Sequence, residues 1–373
     1  MLNVVFASNN DYSSLLTICL ISLLENNKKD FDFINVFVLD DGISEENKDK
    51  IYSLTEKYSC KVTFIKTDIL NSNDKIMMPL EKEDYGKSLT TYSRLFLSTL
   101  LPTDLDKVIY LDCDALVLGS YEQLWKLDIS DYYCAGVVDP TNDNILREYG
   151  FGGKDKYFNA GFLLVNLEKW RENDIENEFI AFLLENKSTF FLHDQGVINN
   201  VLRNKIKIVE PKYNLQLYFQ FFDYDLAMKY MGRENPYYTK EIVDESRNKP
   251  VYLHFCGGTQ NRPWYNKEHF YYKEFEKYAN MADCKNMLDM DVKLSWKTKL
   301  LYGGVNNKFF QLILKAIPRK IVKDMADKTG INYKIRHEKM FSDEMLKEFK
   351  EPKNQSFSLK YNEFIFIYFY FEN

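Results

Sequence analysis

Apolar and polar positions come in alternating blocks at the start of this chain. Residues 2–7 (Leu-Asn-Val-Val-Phe-Ala) form a short apolar run that stops at Ser8-Asn9-Asn10-Asp11, and a helical pattern follows from Ser13 to Asn26. A second run, residues 33–39, ends at Asp40-Asp41-Gly42. Ser44-x-x-Asn47 then opens a helix to about Tyr58, and Lys61–Ile65 makes a third run. This β-α-β-α-β alternation predicts a parallel sheet covered by helices. Sheets of this kind bind ligands beyond the carboxyl ends of their strands, so the polar clusters after the first two strands are the first places to look.

Further along, Thr91–Leu101 reads as helix, and Lys107–Leu111 is a strongly apolar strand running into Asp112-Cys113-Asp114. Cys134–Val138 is a strand ending at Asp139-Pro140. Phe162–Val165 is another, preceded by Asn159-Ala160-Gly161. Glu168–Glu185 and Asp194–Leu202 read as helices, and Val251–Phe255 is a late strand that carries His254. The β-α signal stops beyond Lys273. The expected division is an α/β domain over 1–280 and a C-terminal extension over 281–373, helical and basic to about residue 340.

Composition narrows the class. The chain has 373 residues, 45% of them hydrophobic, which suffices for a large core. A net charge of −6 argues against nucleic acid as a partner. Between Lys293 and Lys339, however, twelve Lys or Arg residues face only Asp324, Asp327 and Glu338, which suggests an anionic surface as partner. Six cysteines without a C-x-x-C pair exclude a zinc ribbon and read as thiols of a cytosolic protein. The first residues read as a strand, not as a signal peptide. No apolar run approaches the roughly 18–20 residues of a membrane span. The terminal run from Phe364 to Phe371 is too short to span and reads as an edge strand or an aggregation-prone tail.

The chemistry concentrates at strand ends. Side chains two apart on a strand share a face, so Asp112 and Asp114 present two carboxylates to one point, which suits a divalent cation carried with phosphates. The same D-x-D spacing occurs at Asp30/Asp32, Asp104/Asp106, Asp223/Asp225 and Asp289/Asp291; what sets Asp112/Asp114 apart is the apolar strand before them. His254 also closes a strand, and the loop after it holds Gly257, Gly258 and Arg262, which suits a diphosphate. An imidazole beside two carboxylates favours Mn²⁺ over Mg²⁺. Ser8 to Tyr12 reads equally as a helix cap, through Asp11 or Ser13, and as a uridine-binding edge with Tyr12 stacked on the base. Asn159 reads as a turn residue or a sugar-hydroxyl contact. Asp194 reads as a helix cap or, with Gln195, as part of a sugar site.

Taken together, these residues resemble glycosyltransferase family 8, the retaining enzymes of GT-A fold that include bacterial lipopolysaccharide galactosyl- and glucosyltransferases and glycogenin. The similarity spans roughly residues 3–275. It is carried by Val5-Phe6-Ala7 with Tyr12, Val38 to Ser44, Thr90 to Arg94, Tyr110 to Asp114, Phe158 to Gly161, Asp194-Gln195, and His254-Phe255 through Pro263-Trp264. The resemblance implies a mixed, Rossmann-like sheet flanked by helices, with Asp112, Asp114 and His254 ligating Mn²⁺, or Mg²⁺ as the alternative ion. It also implies Ala7, Asn9 and Tyr12 at the uridine, Arg94, Asn159, Asp194 and Gln195 along the donor sugar, and Asp139 near the acceptor. The family usually has Asp where Asn9 stands. Its loop after the histidine is two residues shorter and carries Lys in place of Arg262.

The implied reaction moves galactose or glucose from a UDP-sugar, with retention, to a glycan, lipo-oligosaccharide or glycoprotein acceptor. Its transition state is oxocarbenium-like. Gln195 is a neutral amide and a feeble nucleophile, which favours front-side attack with Gln195 stabilising positive charge; Asp194 is the alternative, covalent nucleophile. A sugar-nucleotidyltransferase and a non-catalytic sugar-nucleotide-binding protein are the rival classes. Residues 293–339 are expected either to cap the catalytic domain or to touch the inner face of a membrane.

Overall fold

Strand β1 (Leu2–Asn9) is buried along nearly its whole length, as an apolar run covered on both faces must be. It pairs in parallel with β2 (Ile34–Asp41) on one side and β4 (Lys107–Leu111) on the other, and β2 pairs in parallel with β3 (Cys60–Lys66). The sheet continues through β7 (Phe158–Asn166), β6 (Cys134–Val138) and β8 (Ile206–Ile208), giving the order β3-β2-β1-β4-β7-β6-β8. Strand β7 runs against both its neighbours. The parallel arrangement expected from the first three strands therefore becomes a mixed sheet. A second, three-stranded sheet joins β5 (Ala115–Val117), β10 (Tyr252–His254) and β9 (Leu215–Gln216). This computed structural model describes residues 1–70, 90–152, 155–186, 193–233, 236–257, 261–288, 308–324 and 327–328.

The reversal of β7 positions the site. The carboxyl ends of β1, β2, β4 and β6 share one edge of the sheet, and the amino end of the antiparallel β7 arrives at that same edge. The register sets Leu111 against Phe162 and Val138 against Phe158. Asn159, Ala160 and Gly161 thus lie inside β7, in a strand longer than Phe162–Val165, because their small or amide side chains face partners and not solvent.

Helix α1 (Ser13–Asn27) is buried on almost every side. It lies between the sheet and α4 (Tyr272–Met281): Asn26 Nδ2 donates to the Val117 carbonyl and to the Tyr278 hydroxyl. Neither Asp11 nor Ser13 caps α1 in the expected way. Ser13 is already helical and its hydroxyl donates to the Asn10 carbonyl, while Asn9 Oδ1 accepts the Tyr12 N–H. Helix α2 (Glu45–Thr55) does start as predicted, with the Ser44 hydroxyl accepting the Asn47 N–H, and it stops three residues short of Tyr58.

Two expected helices are broken. The stretch 91–101 is a 3₁₀ turn, Ser93–Phe96, followed by a single turn, Leu97–Leu100, whose first N–H groups are held by Glu176. The stretch 168–185 is two helices, Leu167–Glu172 and Ile175–Glu185, separated at Asp174, which takes a left-handed φ of 51°. Helix α3 (His193–Val201) matches its prediction within a residue.

Burial continues past α4 through Cys284 and Met287. Helix α5 (Lys308–Ala316) docks back on the body: Leu314 is buried, Gln311 Nε2 donates to the Phe221 carbonyl, and Lys229 Nζ donates to the carbonyls of Leu314 and Lys315. Phe309, Leu312 and Ile313 remain exposed. Among the described residues no helix is long and apolar enough to cross a membrane. Gly258, residues 293–307 and 329–339 of the basic segment, Asp289/Asp291, and the Phe364–Phe371 run lie outside the described residues.

Candidate active site

Asp112 and Asp114 sit just past the end of β4. The alternation of the strand persists through them: Cys113 turns inward and its thiol donates to the Ala7 carbonyl at 3.3 Å, so both carboxylates emerge on the other side. His254 ends β10, between Ala115 of β5 and Gln216 of β9. Its Nε2 lies 3.3 Å from Asp114 Oδ1 and 3.7 Å from Asp112 Oδ2. Asp112, Asp114 and His254 each offer one ligand atom, all within 4.8 Å of one another. Two hard oxygens and one imidazole nitrogen at this spacing fit a divalent cation such as Mn²⁺.

The electrostatics agree with that donor set. Burial pushes the Asp114 carboxyl up, but the His254 hydrogen bond, the imidazole charge and Arg262 outweigh it and hold the group down at about 2. Burial pushes His254 down, and the hydrogen bond and charge of Asp114, with Asp112, carry it above its ordinary value. Both shifts reflect a preference for opposite charges at one point.

Arg94 is buried and fully engaged. Its Nε is 2.8 Å from Asp194 Oδ2, its Nη2 is 3.0 Å from Asp112 Oδ1, and its Nη1 donates to the Ala160 carbonyl at 2.8 Å. The guanidinium lies 4.5 Å from the centre of the Tyr110 ring. It thus ties the first carboxylate of the D-x-D pair to Asp194 on α3.

A second cluster adjoins the first. Gln195 Oε1 accepts the Ala160 N–H at 3.0 Å, and Gln195 Nε2 donates to Asp139 Oδ2 at 3.2 Å. Asn159 Nδ2 donates to the same Asp139 oxygen at 2.9 Å. The other Asp139 oxygen accepts from the N–H and hydroxyl of Thr141. Asp139, Asn159 and Gln195 therefore form one buried network at the sheet edge, adjoining Asp194.

On the other side of the carboxylate pair lie Ala7, near the end of β1, Asn9 at its end, and a half-exposed Tyr12. The Tyr12 hydroxyl is pushed up by burial and by the charge of Asp114, while Arg262 opposes them, so both groups lie within electrostatic reach of it. Gly257 takes a left-handed φ of 97°, a conformation that glycine adopts without strain. The Arg262 guanidinium lies 5.8 Å from the Trp264 ring.

Four participants went unread in the sequence. Gly161 leaves room for the His254 ring. Tyr252 donates its hydroxyl to the carbonyls of Asp112 and Gly161. Asn214 joins His254 Nδ1, at 3.1 Å, to Asn159 Oδ1, at 2.9 Å. Gln216 is fully buried beside His254, and neither end of its amide has a hydrogen-bond partner among the described residues. The last two stand two apart in Tyr213-Asn214-Leu215-Gln216, a period-2 polar pair that marks one face of a strand.

A mixed sheet flanked by helices, with an Asp–Asp–His cluster beyond its strand ends, defines a glycosyltransferase of the GT-A build. The chain belongs to glycosyltransferase family 8, whose model matches residues 3–268. A putative glycosyltransferase of Haemophilus influenzae is 32% identical over 71% of this chain and 74% of its own length. General stress protein A of Bacillus subtilis is 28% identical over 76% of the chain and 96% of its own. An Escherichia coli lipopolysaccharide 1,2-glucosyltransferase is 25% identical over 86% and 91%. Among solved structures, the galactosyltransferase LgtC in complex with donor and acceptor sugar analogues superposes with a TM-score of 0.60 at 25% identity, covering 80% of this chain and all of that one.

Proposed function

We propose that this enzyme transfers a hexose, galactose or glucose, from a UDP-sugar to a glycan, lipo-oligosaccharide or glycoprotein acceptor, with retention and with dependence on Mn²⁺. The observation that carries the reading is the convergence of Asp112, Asp114 and His254 between Tyr12 and Arg262 on one side and the Asp139–Asn159–Gln195 network on the other. That spacing accommodates a diphosphate at the carboxylates, a base against Tyr12 and a sugar toward Asn159.

A divalent ion held by Asp112, Asp114 and His254 supplies positive charge opposite the diphosphate. Arg262 adds charge from the protein itself. The bond from the anomeric carbon to the diphosphate oxygen breaks, and its electron pair leaves with UDP. The acceptor hydroxyl attacks from the same face and passes its proton to the departing oxygen. Two features of the site favour this front-side course over a covalent intermediate. Gln195 is a neutral amide held at both ends, and the Asp194 carboxylate is paired with Arg94, which damps its nucleophilicity. Gln195 and Asp194 then stabilise the cationic sugar electrostatically.

The test is a panel of UDP-sugars incubated with the enzyme and Mn²⁺, with and without EDTA, followed by UDP release and by NMR of the product anomer. Retained configuration and loss of release with EDTA support the reading. Conversion of the UDP-sugar to UTP and sugar 1-phosphate when pyrophosphate is supplied would identify a nucleotidyltransferase, and no turnover of any donor a binding protein.

A second reading concerns the extension, residues 281–373. Exposed Phe309, Leu312 and Ile313 lie close in sequence to Lys308, Lys315, Arg319 and Lys320, a combination suited to the inner face of an anionic membrane. Co-sedimentation with anionic but not neutral vesicles, lost at high salt, supports it; indifference to anionic vesicles at low salt refutes it.

A further inference from the structure

The hydrogen bonds around Asn214 have only one consistent direction. The Gly161 backbone N–H can only donate, and it donates to Asn159 Oδ1 at 3.0 Å. Asn159 Nδ2 accordingly points to Asp139, a carboxylate that accepts. The same Asn159 oxygen must then receive the amide nitrogen of Asn214, Nδ2, at 2.9 Å. That leaves Asn214 Oδ1 facing His254 Nδ1 at 3.1 Å, and an oxygen can only accept there. A proton therefore belongs on Nδ1, so that Nε2, on the side of the Asp112–Asp114 pair, is the ring nitrogen whose proton a bound cation would replace. A backbone N–H and a carboxylate at the far end thus fix both amide orientations and the protonation of Nδ1.

We propose that Asn214 is a positioning residue: it holds His254 in the Nδ1–H tautomer and aims Nε2 at a divalent cation, and through Asn159 it locks that orientation to Asp139 and Gln195. The side chain is fully buried and belongs to the residue immediately before β9, two positions from Gln216, which pairs with His254. Ligand histidines commonly donate their second ring N–H to such an acceptor, and loss of that partner typically costs about 10- to 100-fold in metal affinity. The inference rests on the metal reading of the Asp112–Asp114–His254 cluster.

The test uses the full chain and two readouts besides turnover. Mn²⁺ affinity is measured by EPR of the free ion for the wild type, Asn214→Leu and Asn214→Asp. Asn214→Asp keeps an acceptor for Nδ1–H but loses the donor to Asn159 Oδ1, and Asn214→Leu removes both. The expected result is weakening of about 10- to 100-fold in Asn214→Leu and a smaller weakening in Asn214→Asp. Separately, ¹H–¹⁵N correlation of histidine-labelled wild type, on the alkaline side of the imidazole titration and assigned with His254→Gln, reads the tautomer directly. Protonated Nδ1 supports the proposal. An Nε2–H tautomer in the wild type, or equal Mn²⁺ affinity in wild type and Asn214→Leu, overturns it. Failure of the wild type itself to bind Mn²⁺ overturns the metal reading instead, and the tautomer measurement then still decides the role of Asn214, even if Asn214→Leu does not fold.

Discussion

A Cβ placed on Gly161 would stand 2.2 Å from Cε1 of His254 and 2.7 Å from Oδ2 of Asp112. Real Cβ atoms do not approach other atoms so closely, and both neighbours belong to the candidate metal cluster. Gly161→Ala should therefore displace the imidazole or the carboxylate. Expected outcomes are a loss of at least about 10-fold in Mn²⁺ affinity, by analogy with other disturbances of ligand placement, and a circular dichroism spectrum like that of the wild type.

Asp112→Asn and Asp114→Asn each remove one anionic oxygen ligand without emptying the core, since both side chains are partly exposed. Transfer should be abolished in both while thermal unfolding stays cooperative. Near-normal turnover of either variant at saturating Mn²⁺ would refute the ligand assignment.

Arg94→Met tests a different component. The guanidinium is the shared partner of Asp112, Asp194 and the Ala160 carbonyl. Removing it leaves the buried Asp194 carboxylate without its cation, a loss of about 3–5 kcal/mol for buried pairs. Urea unfolding should show it, and Arg94→Lys should recover only part, because one ammonium cannot present the same fork.

His269 gives the pH prediction. The ring is buried edge-on against Phe221 and Phe255, and Nδ1 accepts the Tyr271 N–H, so it is neutral in the fold; burial lowers its pKa from 6.5 to about 3. Between those values the unfolded chain binds a proton that the folded chain refuses. This contribution to stability should thus be complete above 6.5 and should fall as pH drops toward 3, by up to about 1.4 kcal/mol per pH unit. Chemical unfolding at pH 7 and pH 5 should show a smaller loss in His269→Asn than in the wild type.

Gln216→Met should raise the melting temperature. The wild-type amide is fully buried with neither end partnered among the described residues, a cost of about 1–3 kcal/mol, and methionine has similar length without polar atoms. An unchanged or lower melting temperature would mean that the amide is satisfied in solution.

Much of this was legible because apolar runs ending in polar clusters are a strong pattern. The strands β1 to β4 and β6, helices α1 and α2, and the convergence of Asp112, Asp114 and His254 all follow from it. Strands β5, β8 and β9 were not legible: with two or three residues each, they are too short for a periodicity to stand out, and their partners are distant in sequence. Asn214 and Gln216 went unread for that reason. The helix 168–185 looked continuous because its apolar spacing survives the break; a single left-handed Asp174 redirects the chain without changing the pattern. The roles of Asp139 and Arg94 depended on which side chains meet across β6, β7 and α3, and spacing along one segment does not report that.

Lys229 closes the carboxyl end of helix α5 by donating to two of its last carbonyls, where a cation also meets the negative end of the helix dipole. The cap comes from the catalytic body, not from the helix's own neighbours in sequence. Mechanically, α5 is thus a bracket bolted to the enzyme. Any surface gripped by Phe309, Leu312 and Ile313 would hold the sugar site at a set height and tilt, so that reach, as much as chemistry, would select which acceptors can enter.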